Sequence, residues 1–306
     1  MSRISVIIPL YNKVNSIERT LQSVARQSVQ PLEVIVVDDG STDGSAEVVR
    51  RMNMPLVQLV SQSNSGVSAA RNRAMELAQG EWVALLDGDD CWEPGYLENA
   101  ERMIDTYPAA AAIGTAFMVD DGRRRVAGDT PQKEGVVDFF VESMSRYVLI
   151  PSATVLRRDI TLALGGFPEG LRMGEDQYLW TKIARTAQVV FSPARLVVYS
   201  RVAENRSVSI FRPEQTVFSL EDLYDEDALP ISNEYVARVA LGKALVESAR
   251  GGTAVAKRAL EFFSYNRLSS RLTRKLRLLN ALPACMRPAV LNIYNWMAWV
   301  IARRGL

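Results

Sequence analysis

The chain is 306 residues long, 48% hydrophobic and formally +1 at neutral pH. That length supports one large domain or a domain with an appendage, and a nearly neutral balance argues against a surface built for nucleic acid. Histidine is absent altogether, which excludes Ser-His-Asp and Cys-His catalysis and every histidine metal site, leaving acid–base work to Asp, Glu, Lys, Tyr or Cys.

Two cysteines, Cys91 and Cys285, stand too far apart in sequence to suggest a disulfide framework or a zinc site, and they fit a reducing compartment. The N-terminus enters a strand at once, without the hydrophobic region of a signal peptide. No stretch reaches the ~18 apolar residues of a spanning helix. The reading is therefore a cytoplasmic protein. Charge is unevenly spread: from Phe262 onward there are eight Arg or Lys and no Asp or Glu, so the preceding chain carries about −7.

Ile4 to Leu10 reads as a buried strand closed by Pro9. Asn15 with Glu18 three residues on predicts a helix N-cap and capping box, and Ile17, Leu21 and Val24 supply the helical stripe. Leu32 to Val37 is a second buried strand, running into the polar loop from Asp38 to Ser45 that opens another helix. Val57 to Val60 is a third strand. Asn64-Ser65-Gly66 turns the chain into a helix from Ser68 to Ala78, with Gly80 expected at the C′ position. Trp82 to Leu86 is an unbroken apolar run, the pattern of a strand buried on both faces. This β-α-β-α-β-α-β order predicts an open, doubly wound, mostly parallel sheet flanked by helices.

Further on, the pattern predicts a helix over Tyr96–Thr106, a strand in Ala110–Val119 and a hairpin turn at Asp121-Gly122. Residues 128–148 carry no clear period and read as a mobile loop. A strand at Ser152–Leu156, a short helix through Leu164 and a turn at Gly165-Gly166-Phe167-Pro168 follow. Glu175 and Asp176 start a helix to about Thr186, and Val189–Phe191 and Leu196–Tyr199 read as two more strands.

The chemistry lies at the strand ends. In a parallel sheet, ligands bind outside the carboxyl ends of the strands, and here those ends carry carboxylates, most densely at Asp87, Asp89 and Asp90. An Asp-x-Asp pair can chelate a hard divalent cation; the same residues also suit a simple turn. No Gly-x-Gly-x-x-Gly follows the first strand and no Walker A sequence is present, which argues against a dinucleotide Rossmann domain and a P-loop enzyme. Acidic strand ends suit a nucleoside diphosphate held through a metal.

Seven motifs occur in register. They are Val6-Ile7-Ile8-Pro9-Leu10-Tyr11-Asn12, Val36 to Ser45, Asn64-x-Gly66 with Ala70-Arg71-Asn72, Ala78-x-Gly80-Glu81, Leu86 to Asp90 with Trp92 and Pro94, Gly165-Gly166-Phe167, and Gly174-Glu175-Asp176. With them the chain resembles a family 2 glycosyltransferase of the GT-A fold over roughly residues 3–210. The resemblance implies a catalytic domain over 1–210, with a nucleotide-binding half to about residue 95 and an acceptor half to 210. A mostly helical region over 211–306 follows it.

The resemblance also implies roles. Pro9, Leu10 and Tyr11 match the strip under the nucleotide base, and Asp39 the carboxylate that accepts a hydrogen bond from it, usually from uracil. Arg71 matches a donor-contacting arginine. Asp87 and Gly88 fall in the donor site, and Asp89 with Asp87 in the site for Mg²⁺ or Mn²⁺ on the diphosphate. Asp176 matches the catalytic base of an inverting displacement, with Glu175 and Trp180 on the acceptor side. The implied reaction moves one sugar from a nucleotide donor, a UDP-sugar, to a hydroxyl of a glycan, lipid-linked sugar or protein. No processive Gln-x-x-Arg-Trp follows Asp176, which favours single addition. Relatives carry a histidine after a Tyr-Arg-like stretch; here Ala203 stands at that place. A sugar nucleotidyltransferase and a binding protein on an inactive transferase fold are the competing readings. The first lacks the glycine-rich phosphate loop it needs after strand one, and the intact carboxylates weigh against the second.

In the tail, Leu268, Leu272, Leu276 and Leu279 fall on one helical face, with Arg267, Arg271, Arg274, Lys275 and Arg277 on the other. The apolar run from Val290 to Ile301 as a helix reaches about 18 Å, short of a ~30 Å hydrocarbon core. Two readings stay open: a peripheral contact with the inner membrane face, or an apolar strip docking on the catalytic domain or a second subunit.

Overall fold

The computed structural model describes residues 3–202 and 215–293. The chain divides into two compact units, Met1–Phe218 and Ser219–Leu306. The first contains β1 (Ile4–Leu10), α1 (Ile17–Ala25), β2 (Glu33–Asp38), α2 (Ser45–Met52), β3 (Val57–Ser61), α3 (Val67–Leu77), β4 (Trp82–Leu85) and β5 (Cys91–Trp92). It continues with α4 (Tyr96–Thr106), β6 (Ala110–Asp120), β7 (Arg125–Ala127), β8 (Gly135–Val136), α5 (Phe139–Ser143), β9 (Thr154–Arg157), α6 (Arg158–Ala163), α7 (Glu175–Thr186) and β10 (Gln188–Ser200). The second contains α8 (Pro230–Ala249), α9 (Thr253–Phe262) and α10 (Ser270–Ala281). Among the described residues no helix is long and apolar enough to cross a membrane.

The first unit is built on one ten-stranded sheet in the order β3-β2-β1-β4-β9-β6-β10-β5, with β7 on β6 and β8 on β10. The β3-β2-β1-β4 half is wholly parallel. Its apolar runs require this: Ile4, Val6, Ile7, Ile8 and Leu10 are all fully buried, as are Val83 and Ala84. Each such aliphatic side chain removed from water contributes roughly 1.5–3 kcal/mol. The stripe of α1 packs onto this half through Ile17, Leu21 and Val24. Edge strand β3 is only partly covered.

The topology gathers particular residues at one edge. Leu10 pairs with Asp38 and Ile7 with Leu85, so the carboxyl ends of β1, β2 and β4 lie side by side. Strand β9 runs antiparallel to β4, which brings its start, Pro151–Ala153, to that same edge. Strand β10 is parallel to β6, which is itself antiparallel to β9, so Tyr199 and Ser200 end there too. The chain must return to the opposite edge before β10, and α7 makes that return; its first turn, Glu175 and Asp176, is therefore left at the carboxyl edge.

Four local expectations are corrected. Helix α1 is capped at Ser16, and no side-chain capping bond forms at that end. The two strands expected between Val189 and Tyr199 are one strand, because a register irregularity between Ser192 and Val197 absorbs Pro193 without breaking the ladder. Residues 128–148 are packed and not a loose loop: Asp138 caps α5 through the Val141 N–H, and Phe139, Phe140 and Val148 are buried. Gly80 is not a left-handed C′ residue, since α3 ends with Ala78 in an extended conformation. Glycine is needed there for another reason. A Cβ on residue 80 would lie 2.7 Å from the carbonyl of Arg3 and the amide nitrogen of Ser5, and the Gly80 N–H donates to Ser5 Oγ at 2.9 Å.

Replacing Gly80 with Ala therefore forces backbone against β1. We expect a loss of about 1–3 kcal/mol, read as a lowered midpoint in thermal or urea unfolding. Gly95→Ala is the control, because the added Cβ would meet only the end of the Leu196 side chain at 3.8 Å. Equal midpoints for the two variants would show that the close approach carries no penalty.

Candidate active site

The carboxyl edge of the sheet opens onto a cavity of about 830 Å³, within the range of small-molecule sites. Its walls include Pro9, Leu10, Tyr11, Asp39, Arg71, Asp87, Gly88 and Asp89 on one side and Gly174, Glu175 and Asp176 on the other. The structure thus brings together every site residue expected from the sequence except one. Trp180 is 1% exposed and packs edge-on against Phe167 with ring centroids 5.9 Å apart. It sits a turn beyond Asp176 on the inward side of α7, so it is a core residue and not part of the acceptor wall.

Asp39 directly follows β2 and is buried. Its Oδ1 accepts from the Ser65 N–H at 2.8 Å and from Gln62 Nε2 at 2.9 Å, and its Oδ2 from the Gly66 N–H at 2.8 Å. Asn64 Nδ2 donates to the Asp39 carbonyl. The carboxylate thereby fixes the loop that leads into α3. A carboxylate has about four acceptor sites, and three donors leave one for the cavity.

The acidic turn after β4 is locked from below. Ser152 Oγ accepts the Asp87 N–H at 3.0 Å and donates to Asp90 Oδ2 at 2.6 Å, while the Ser152 carbonyl accepts from Trp92 Nε1 at 2.7 Å. Asp90 Oδ1 accepts the Ser200 N–H at 2.7 Å. Asp90 is 1% exposed; burial, then the charges of Asp89 and Asp87, push its carboxyl well above the usual range. It holds the turn and does not face the cavity.

The other two carboxylates of the turn do face it, and each carries a cation. Lys13 Nζ lies 2.6 Å from Asp89 Oδ2, both side chains being 13% exposed. Burial raises the Asp89 pKa and the Lys13 ammonium opposes that rise. Lys13 was not singled out in the sequence; a lysine placed just after Pro9-Leu10-Tyr11-Asn12, opposite acidic strand ends, was the available signal. Its backbone is fixed by the Lys13 N–H donating to Ser45 Oγ at 2.7 Å, beside Asn12 with its positive φ of 51°.

Arg71 Nη2 donates to Asp87 Oδ1 at 2.8 Å, and its Nη1 lies 3.8 Å from Glu175 Oε1. The guanidinium is 3% exposed and stands 5.1 Å from the Phe167 ring centroid. Burial works against its charge, but Asp87 and Glu175 outweigh burial and the pKa is raised. The next residue, Asn72, clamps the far loop: its Oδ1 accepts the Phe167 N–H at 2.8 Å and its Nδ2 donates to the Phe167 carbonyl at 2.9 Å. A Cβ on Gly166 would come within 2.6 Å of Asn72 Oδ1. The motifs Ala70-Arg71-Asn72 and Gly165-Gly166-Phe167 are thus two halves of one contact.

That loop leads through Met173 (φ 56°) and Gly174 (φ 105°) into α7. Asp176 Oδ1 accepts the Gln177 N–H at 2.9 Å. Burial first, then the Glu175 charge, raises the Asp176 pKa to about 7, with Arg71 pulling the other way. A carboxyl poised there is suited to proton abstraction near neutral pH. Among the described residues no group of three His, Cys, Asp or Glu is arranged as a metal cage. Ala203, where the missing histidine was noted, lies outside the described residues.

The chain is 27% identical to the glycosyltransferase GlyA of Streptococcus pneumoniae over 245 residues, which cover 76% of this chain and 35% of GlyA. It spans between 30% and 49% of the length of the first curated relatives it matches. Among solved structures, residues 1–349 of Staphylococcus aureus TarS in complex with UDP-GlcNAc align with a TM-score of 0.63 at 24% identity. That alignment covers 87% of this chain and 74% of that one. A mannosyltransferase from Pyrobaculum calidifontis, in complex with GDP-Man and Mn²⁺, aligns with a TM-score of 0.52 at 21% identity over 97% of this chain and 80% of that one. Both likenesses agree with the GT-A arrangement of strands and helices. The model of the family "Glycosyl transferase family 2" matches residues 5–164, more than half of the chain, and the protein belongs to that family.

Proposed function

We propose that this protein is an inverting transferase that moves a single sugar from a nucleoside diphosphate donor, a UDP-sugar, to an acceptor hydroxyl on a glycan, a lipid-linked sugar or a protein. The observation that carries the reading is that Asp39, Asp87 and Asp89 line one side of a cavity whose other side presents Asp176. TarS and the mannosyltransferase, held with UDP-GlcNAc and GDP-Man, support the donor class.

On the donor side, Pro9, Leu10 and Tyr11 form the strip against the base, and the free acceptor site of Asp39 takes its ring N–H. Such a charge-assisted bond is worth about 1.5–3 kcal/mol. Asp87 meets the ribose, held in place by Arg71. On the acceptor side, Asp176 takes the proton from the attacking hydroxyl; burial first, and then the Glu175 charge, keeps its carboxyl basic enough to do so. One base and one displacement invert the anomeric configuration.

Five carboxylates on the cavity wall, Asp39, Asp87, Asp89, Glu175 and Asp176, face three cations, Lys13, Arg71 and Arg172. A diphosphate adds further negative charge to a wall that is already net negative, and a divalent cation resolves that excess. The oxygen donors of Asp89 and Asp87 fit a hard cation that completes its shell with phosphate oxygens and water. When bound, it supplies Lewis-acid stabilisation of the leaving diphosphate.

Three outcomes test this. Asp176→Asn should leave nucleotide affinity by calorimetry within a few-fold and lower turnover, read as nucleoside diphosphate release, by roughly 10²–10⁴; turnover within tenfold of the parent would remove Asp176 from the role of base. A carboxyl raised to about 7 is protonated and idle below that pH, so kcat should climb about tenfold per pH unit up to neutrality and then level off. A flat profile from pH 5 to 8 contradicts a base of that pKa. Excess chelator should abolish turnover, with Mg²⁺ or Mn²⁺ restoring it; full activity in chelator would show that Lys13 and Arg71 suffice for the diphosphate.

A further inference from the structure

The leucine stripe of the C-terminal unit is only half used inside that unit. Helix α10 packs on α8 and α9, and Leu276 and Leu279 are buried there. Arg287, 6% exposed, secures the join. It donates to Thr253 Oγ1 at 2.6 Å, to the Leu282 carbonyl at 2.9 Å and to the Asn280 carbonyl at 3.2 Å. The part of the α10 stripe formed by Leu276 and Leu279 is therefore satisfied within its own unit.

The outward face remains. Arg271, Arg274 and Arg277 are exposed on it, together with Leu278 at 67% exposure. The turn before the helix adds Arg267 and Leu268, and the Glu234 carboxylate there is taken by the backbone N–H groups of those two residues. The three arginines of α10 form no ion pair among the described residues. The chain is helical again over residues 287–293. Met286, Val290 and Ile293, spaced as i, i+4 and i+7, are exposed there at 50%, 37% and 56%. Arg287 ties the start of this helix to the end of α10, so a basic strip and an exposed apolar strip are joined in one element pair. The run from Tyr294 to Arg304 lies outside the described residues and is not needed for this reading.

We infer that this part of the C-terminal unit is a binding face for an anionic lipid bilayer. Phosphodiester headgroups match the fork of the arginines, and the aliphatic strip enters the boundary beneath them. Other occupants fit less well. A two-fold contact between copies sets the same patch against itself, and the chain from Phe262 onward has no Asp or Glu to meet its arginines. Nucleic acid satisfies the basic strip and leaves the aliphatic one in water. The inference does not depend on which reaction the catalytic unit performs.

The test uses the full chain in co-sedimentation with vesicles of phosphatidylcholine alone or mixed with phosphatidylglycerol. The parent should sediment with the mixed vesicles, stay in solution with the neutral ones, and be released in part by high salt. Arg271→Glu/Arg274→Glu/Arg277→Glu should bind at least roughly a hundredfold more weakly, at about fivefold for each basic residue removed, with an unchanged melting temperature. If charge reversal perturbs the fold, the same three positions changed to Gln should still weaken binding in the same direction. Val290→Glu/Ile293→Glu should lose the salt-resistant part of the binding. Equal partition of parent and arginine variants overturns the inference, as does binding to neutral vesicles alone or no binding at all. A parent dimer that the arginine variants split would overturn it too, and would assign the face to self-association.

Discussion

A carboxyl group that never meets the cavity holds the cavity together. Asp90 sits beneath the acidic turn, bonded to Ser152 Oγ on one oxygen and to the Ser200 N–H on the other. Those partners come from the start of β9 and the end of β10, two strands that reach the carboxyl edge by different routes. Without this tie the turn from Asp87 to Asp90 would be a glycine-containing loop bearing three like charges, and repulsion would spread it. Burial raises the Asp90 pKa and keeps that carboxyl out of the cavity, whose wall takes only Asp87 and Asp89 from this turn. Structural and chemical carboxylates are adjacent in sequence, and burial separates their roles.

The same economy shows in Arg71. One guanidinium bonds Asp87, lies near Glu175 at the start of α7, and stands over the Phe167 ring. A buried charge with so little solvent is tolerable only while its partners stay in place. Any movement of the loop before α7 is therefore felt at Arg71 and, through it, at Asp87. The Asn72 clamp on Phe167 limits that movement. The turn after β4 and the start of α7 thus form one electrostatic assembly, although 88 residues separate Asp87 and Glu175.

Much of this was legible in the sequence, for stated physical reasons. Long apolar runs such as Ile4–Leu10 and Trp82–Leu86 have few solutions other than buried parallel strands, and acidic residues at their ends had to gather at one edge. What was misread depended on contacts between distant segments. Gly80 looked like a helix stop, yet its constraint comes from the backbone of β1. Residues 128–148 have no period because their buried side chains, Phe139, Phe140 and Val148, pack from short, irregular pieces. Trp180 lies near Asp176 in sequence, but one helical turn carries it into the core beside Phe167. Lys13 escaped notice because a single lysine carries no pattern; only its 2.6 Å approach to Asp89 gives it meaning.

That approach bears on how a site without histidine handles charge. Asp89 in water would be a hydrated anion; here it is nearly enclosed and its compensating charge is an ammonium on a flexible stem. A lysine is a point charge with rotatable donors, so it can leave a carboxylate for a phosphate oxygen without rearranging the backbone. Arg71 is different: buried, planar and shared among Asp87, Glu175 and Phe167, it stays where it is. The acidic turn therefore carries one fixed cation and one movable one, Arg71 on Asp87 and Lys13 on Asp89. If a diphosphate entered, Lys13 could turn from Asp89 to a phosphate oxygen, and Asp89 with Asp87 would supply the carboxylate oxygens for a divalent cation.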